Sequence, residues 1–246
     1  MCTLVICRRP GEKWPLLIAA NRDEKLNRPW LPPAIHWPDR PDVYGGKDLL
    51  KGGTWLAIND FGVVAAVLNR EGSLGPKEGL RTRGELPLEA LDHADADTAI
   101  EMLADINKSS FRSFNLVIAD NESAYWLKSD SLINNGRVEV FEVPIGFSMV
   151  TSADLNDLGS PRIKRFLKCF EQAKLPDIES EDWNSWKMLL MESNYDPDQG
   201  AESAIFIKNN DGFGTVSSAL IALPNKENQG VSPKFWFTNL RDANLD

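Results

Sequence analysis

Apolar and polar positions along the chain alternate with two periods, and the short apolar runs expected of strands come first. Residues 2–8 and 14–20 are two such runs joined by Arg9-Pro10-Gly11-Glu12, a pattern that predicts a β-hairpin. The second run ends abruptly in four polar residues, Asn21-Arg22-Asp23-Glu24. Residues 25–43 carry Pro29, Pro32, Pro33, Pro38 and Pro41 together with two tryptophans, which predicts an ordered but irregular excursion. Such a stretch can form one wall of a pocket or simply pack over the core. The pairs Gly45-Gly46 and Gly52-Gly53 permit positive φ or a close backbone approach. Strands follow at 54–58 and 63–69, the latter again an apolar run with a polar end, Asn69.

Residues 71–84 form a glycine-rich loop containing Arg81 and Arg83. Two helices are predicted near 85–92 and 97–107, with Ile100, Leu103 and Ala104 marking the buried stripe of the second. Strand patterns resume at 114–120, 124–128, 138–143 and 147–152, with turns at Asp120-Asn121 and Asn134-Asn135-Gly136. Ser160-Pro161 opens a helix that places Ile163, Phe166, Leu167 and Phe170 on one face. Ser180 is expected to cap another, with Glu181 and Asp182 in its first turn and Trp183, Trp186 and Leu190 on its apolar face. Strands at 204–208, 215–223 and 235–240 close the chain. About ten strands and four helices with no dividing linker suit a single α+β domain over residues 1–246, two sheets with helices packed outside them.

Composition narrows the function. With 42% hydrophobic residues, including eight Trp and eleven Phe, there is ample material for a core. A net charge of −9 and no basic cluster argue against a nucleic-acid partner. No apolar stretch approaches the roughly 20 residues of a membrane span, and the start lacks the pattern of a secretory signal. Cys2, Cys7 and Cys169 are odd in number and lack zinc-ligand spacing, which fits a reduced, cytoplasmic protein. The glycine pairs match neither dinucleotide nor phosphate-loop spacing, so nucleotide binding is rejected. No cofactor and no metal are expected. The expected partner is a small-molecule substrate or ligand, and the oligomeric state stays open.

His36 lies in the Pro- and Trp-rich stretch and His93 near a helix end, so both read as surface residues. A hydrolase relying on a histidine base is therefore set aside. Asp23 and Glu24 are adjacent and would face opposite sides of a strand, which does not suit paired-carboxylate chemistry. What remains is Cys2, directly behind Met1. If Met1 is removed, an α-amine of pKa about 7.7–8.0 sits beside a thiol of pKa about 8.5, and one residue supplies both nucleophile and base. A strand beginning at residue 2 would fix that terminus, and two apolar strands end in polar groups, at 21–24 and at Asn69. Against this stands the plain reading of Cys2 as a tolerated thiol and of Asn and Asp as ordinary turn formers.

The stretch Asn21-Arg22-Asp23-Glu24 resembles the motif that names the NRDE family, the family of transport and Golgi organisation protein 2 homologues. The likeness continues through the Met-Cys start, Ala19-Ala20, Arg28-Pro29, Gly45-Gly46-Lys47-Asp48-Leu49 and Gly52-Gly53-Thr54-Trp55-Leu56. Asn69, Thr82-Arg83-Gly84-Glu85-Leu86 and Phe114-Asn115-Leu116-Val117 extend it, and Gly214-Thr215-Val216-Ser217-Ser218 and Phe237-Thr238 are the best later matches. The resemblance implies an amino-terminal-nucleophile (Ntn) hydrolase-like fold, a four-layer αββα sandwich of two mainly antiparallel sheets with helices outside. It is akin to the cholylglycine hydrolase and penicillin V acylase group.

Carried over by position, Cys2 would be the nucleophile, Asp23 would hold the α-amine and Asn69 would stabilise the oxyanion. Asn21 and Arg22 join them as site candidates within the motif. The arginine of the acylase Gly-Arg-x-x-Asp pattern falls on Ala20. Arg22 would face away from Asp23 in a regular strand. Either the strand bends there or Arg22 does another job, such as holding Glu24 or a substrate carboxylate. The activity implied is hydrolysis of a linear, non-peptide carbon–nitrogen amide. The alternative is a non-catalytic carrier of an apolar ligand, haem or lipid, on the same fold, prompted by Ala20 and the aromatic stretch 30–37.

Overall fold

The computed structural model describes residues 2–130, 138–208, 211–227 and 230–241; Met1 and the turn predicted at Asn134-Asn135-Gly136 lie outside them. Among the described residues are twelve strands, all paired antiparallel within two sheets, and four α-helices. The chain groups into two compact units, one of residues 1–28 and 144–246, the other of residues 29–143.

In the first unit β1 (Thr3–Arg8) and β2 (Leu16–Lys25) form the predicted hairpin, closed by a Glu12 N–H donating to the Arg9 carbonyl at 3.1 Å. They lie at the centre of a five-stranded sheet with β10 (Gly146–Val150), β11 (Phe213–Leu223) and β12 (Lys234–Asn239), in the order β10-β1-β2-β11-β12. Helices α3 (Pro161–Gln172) and α4 (Asn184–Leu190) cover one face. Val5, Cys7, Leu17 and Ala19 meet Ile163, Phe166, Phe170, Trp183, Trp186 and Leu190 there. The Ser160 hydroxyl accepts the Ile163 N–H at 3.5 Å and Pro161 opens α3, as predicted.

Two expectations in this unit fail. Ser180 does not cap α4, because Asp177 organises the segment instead. Its backbone exchanges two hydrogen bonds with Asp182, and its carboxylate accepts from the Glu179 and Ser180 amides. Trp183 is left at the cap position. Residues 204–208 form no strand. The Phe206 N–H goes to the Glu192 carbonyl and the Ile207 N–H to the Thr215 hydroxyl, so no ladder is available to them.

The second unit is a seven-stranded meander in sequence order: β3 (Trp30–Ile35), β4 (Val43–Asp48), β5 (Leu56–Asn59), β6 (Val64–Asn69), β7 (Phe114–Ala119), β8 (Ala124–Ser129) and β9 (Glu139–Glu142). Helices α1 (Glu85–Ala90) and α2 (Ala96–Leu103) pack on one face, where Ala57, Ala65, Leu116 and Ile118 meet Leu86, Ala99, Ile100 and Leu103. Helix α2 stops four residues short of the predicted end at 107.

The proline-rich excursion is a correction, since it contains β3. Pro32 and Pro33 fit there because β3 is an edge strand bonded only to β4, and its register slips between Leu31 and Ala34. The tryptophans of this stretch are buried: Trp30 stands edge-on to Trp55 at 5.7 Å, and Trp37 Nε1 donates to the Gly52 carbonyl at 2.8 Å. Gly45 and Gly46 lie within β4 rather than in a turn, and close approach is what they provide. A Cβ on Gly45 would sit 2.3 Å from Ala57 Cβ, and one on Gly46 would sit 2.2 Å from Trp55 Cη2.

The Gly45 contact is stiff because its neighbour is a strand residue. Gly45→Ala is expected to cost about 2 kcal/mol and to lower the melting midpoint by about 4–8 °C. Calorimetry of the Gly45→Ala/Ala57→Gly double variant, which removes the opposing methyl, should recover part of that loss.

Candidate active site

The register of β1 and β2 assembles the site. Thr3 pairs with Asn21, so Cys2 lies level with Arg22 and Asp23 falls just beyond. Side chains alternate along the strands. Thr3, Asn21 and Asp23 point to the helix-covered face, while Cys2, Arg22 and Glu24 take the other. The half-buried Cys2 Sγ donates to the Asp23 backbone carbonyl at 3.5 Å. Burial and the Asp23 carboxylate push the Cys2 thiol up, with the Arg22 guanidinium acting in the opposite sense.

The Asp23 carboxylate is held at both oxygens. Arg162 Nη1, from the first turn of α3, donates to Asp23 Oδ2 at 2.9 Å and also to Thr3 Oγ1 at 2.9 Å. Thr215 Oγ1 donates to Asp23 Oδ1 at 2.7 Å and accepts the Ile207 N–H at 2.8 Å. The side chains of Arg162 and Asp23 are 1% and 0% exposed, so the ion pair sits out of water.

A bulge makes the Thr215 contact possible. Thr215 pairs with Asp23 and Ser217 with Arg22, leaving Val216 as the extra residue. Without it, Val216 would stand opposite Asp23 and Thr215 would point to the other face. On its other side β11 keeps its register with β12, where Val216 O accepts the Leu240 N–H at 3.0 Å.

The other candidates have distinct surroundings. Asn21 Nδ2 donates to the Leu190 and Ile205 carbonyls at 2.7 and 2.9 Å, and its Oδ1 accepts from Ser218 Oγ at 2.7 Å. Its amide thus ties the end of α4 and the 204–207 segment to the sheet. Arg22 Nη2 lies 4.0 Å from Glu24 Oε2, and Arg28 Nε lies 3.6 Å from the same oxygen. The irregularity at this end of the sheet is on β11, not β2. Asn69 closes β6 in the second unit, opposite Phe114, and alternation puts it on the side of Ala65 and Val67 that packs on α1 and α2.

The structure therefore brings Cys2, Asn21, Arg22 and Asp23 together and adds Thr3, Arg162 and Thr215, which the sequence reading missed. A usable signal existed for Arg162, a charged residue directly before the apolar stripe of α3. His36 and His93 lie in the second unit; the His36 ring contacts the Pro32 carbonyl at 2.7 Å. Among the described residues no group of three or more His, Cys, Asp or Glu is arranged to hold a metal ion. No helix among them is long and apolar enough to cross a membrane.

Solved structures with this architecture include the Caenorhabditis elegans N-acylethanolamine-hydrolyzing acid amidase ortholog (TM-score 0.52, 12% identity, covering 96% of this chain and 100% of that one). Another is a variant of the conjugated bile acid hydrolase from Clostridium perfringens (TM-score 0.50, 13% identity, covering 100% of this chain and 94% of that one). At such identities the likeness shows the fold: an α+β, Ntn-hydrolase-type arrangement of two antiparallel sheets.

In sequence, the chain is 36% identical over 121 residues to the Transport and Golgi organization protein 2 homolog of Bos taurus, and 34% identical over 128 residues to that of Homo sapiens. The matches span 46–47% of this chain and 42–43% of the length of those relatives. The model of the Transport and Golgi organisation 2 family matches residues 1–232, and the chain belongs to that family.

Proposed function

We propose that this protein is an amino-terminal-nucleophile amidohydrolase that cleaves a linear, non-peptide carbon–nitrogen bond, with Cys2 as nucleophile once Met1 is removed. The observation that carries the reading is the Asp23 carboxylate, fixed from two sides beside the start of β1, in the residue whose backbone carbonyl accepts a hydrogen bond from the Cys2 thiol. A fold relative titled N-acylethanolamine-hydrolyzing acid amidase supports an acyl amide as the substrate class.

The electrostatics set the order of events. With Met1 attached, burial and Asp23 keep the Cys2 thiol protonated near neutral pH, so attack needs a base close by. The α-amine freed on Cys2 is that base, and Asp23 orients it. It accepts the thiol proton as sulfur attacks the acyl carbon, then delivers it to the departing amine. Water releases the acyl group from sulfur by the reverse relay. Arg22, on the Cys2 face, favours the thiolate. Asn69 enters as oxyanion donor on the family resemblance alone. Asn21 is a structural tie whose amide is spent on Leu190 and Ile205.

Cys2→Ala is expected to abolish amide turnover while leaving the melting midpoint near that of the parent, measured on a panel of N-acyl aryl amides. A Cys2→Ala protein that keeps full turnover overturns the proposal. Asp23→Asn should lower turnover by about 10²-fold or more.

A pH profile separates the two forms of the amino terminus. In protein that retains Met1, the raised thiol pKa delays alkylation by iodoacetamide until the pH exceeds the ordinary thiol range. In protein that starts at Cys2, alkylation should already be fast at neutral pH. Intact mass before and after a short pulse reads both.

A further inference from the structure

We infer that Thr215 is a positioning residue for the proposed reaction, the group that fixes the rotation of Asp23 so that the carboxylate meets the α-amine of Cys2. This deepens the hydrolase reading and rests on it. A carboxylate held at one oxygen still swings about its Cα–Cβ and Cβ–Cγ bonds. Arg162 holds Asp23 Oδ2. Thr215 holds the second oxygen, through a 2.7 Å hydrogen bond to Oδ1, so the carboxylate is gripped from both ends.

The hydroxyl is itself aimed. It has one proton, and the Ile207 N–H at 2.8 Å occupies its acceptor side, so the proton is directed to Asp23. The Thr215 N–H in turn donates to the Ile207 carbonyl at 2.9 Å, which locks the two segments together. Thr215 is fully buried, and it reaches this face only because β11 carries an extra residue at Val216. A bulge that disrupts a ladder next to a candidate site, and re-aims one hydroxyl onto one carboxylate, is the kind of local cost that function explains.

The test uses iodoacetamide at pH 7 on protein shown by mass to begin at Cys2. Thr215→Val keeps the shape and removes the hydroxyl. It should slow Cys2 alkylation about tenfold, the worth of one well-made hydrogen bond to a charged group. Thr215→Ser, which keeps the hydroxyl, should recover most of the rate. The Asp23→Asn/Thr215→Val double variant should be no slower than Asp23→Asn alone, because both changes remove the same interaction.

Thr215→Val reacting as fast as the parent overturns the inference. So does a Thr215→Ser protein as slow as Thr215→Val at an equal melting midpoint, since packing alone would then explain both. If Thr215→Val loses its cooperative melt, Thr215→Ala against Thr215→Ser makes the same comparison. A parent protein no faster than an ordinary thiol defeats the hydrolase reading itself, an outcome distinct from an activated parent that Thr215→Val leaves unchanged.

Discussion

A carboxylate withdrawn from water must be neutralised where it sits, and Asp23 is withdrawn completely. Arg162 meets that demand from α3, and in doing so it fixes how the first turn of that helix sits on β1 and β2. Thr3, Thr215 and Ile207 follow from the same constraint, because the remaining oxygen also needs a donor and the donor needs an orientation. Helix start, bulge and loop segment converge on one side chain. Replacing such a pair by apolar residues is often neutral or stabilising, so its presence beside Cys2 points to a role other than stability.

Much of this fold was legible because it follows from local rules. The hairpin of β1 and β2 came from two apolar runs around Pro10-Gly11, and α3 from Ser160-Pro161 ahead of a helical stripe. What failed did so for tertiary reasons. Pro32 and Pro33 speak against a strand until the strand is known to be an edge, which topology decides. Gly45-Gly46 looks like turn chemistry until Ala57 and Trp55 are seen pressed against it. Residues 204–207 have a strand's composition, yet their hydrogen bonds go to a side chain and a helix end.

The site was legible in part. Cys2 and Asp23 could be named because the family motif places them, and Arg22 was correctly set on the opposite strand face from Asp23 by alternation. Arg162 and Thr215 lie 139 and 192 residues from Asp23 along the chain. No periodicity joins positions so far apart. Thr215 was further hidden by the bulge, since a regular β11 would have turned it to the wrong face. The arginine missing at Ala20 does not leave Asp23 without a cation: α3 supplies it.

Strand alternation gives the Asn21-Arg22-Asp23-Glu24 stretch two jobs at once. Asn21 and Asp23 face the helices, where the side-chain polar atoms of both have fixed partners. Arg22 and Glu24 share the other face with Cys2, with Arg22 Nη2 4.0 Å from Glu24 Oε2. The peptide between residues 22 and 23 links the two faces. Cys2 touches that link directly, through the Asp23 carbonyl. On the proposed reading, Cys2 takes its position from the strand that carries the buried ion pair and its reactivity from charges on both faces. The two are coupled, because the Asp23 carboxylate held by that ion pair also raises the Cys2 thiol pKa, while Arg22 on the other face lowers it.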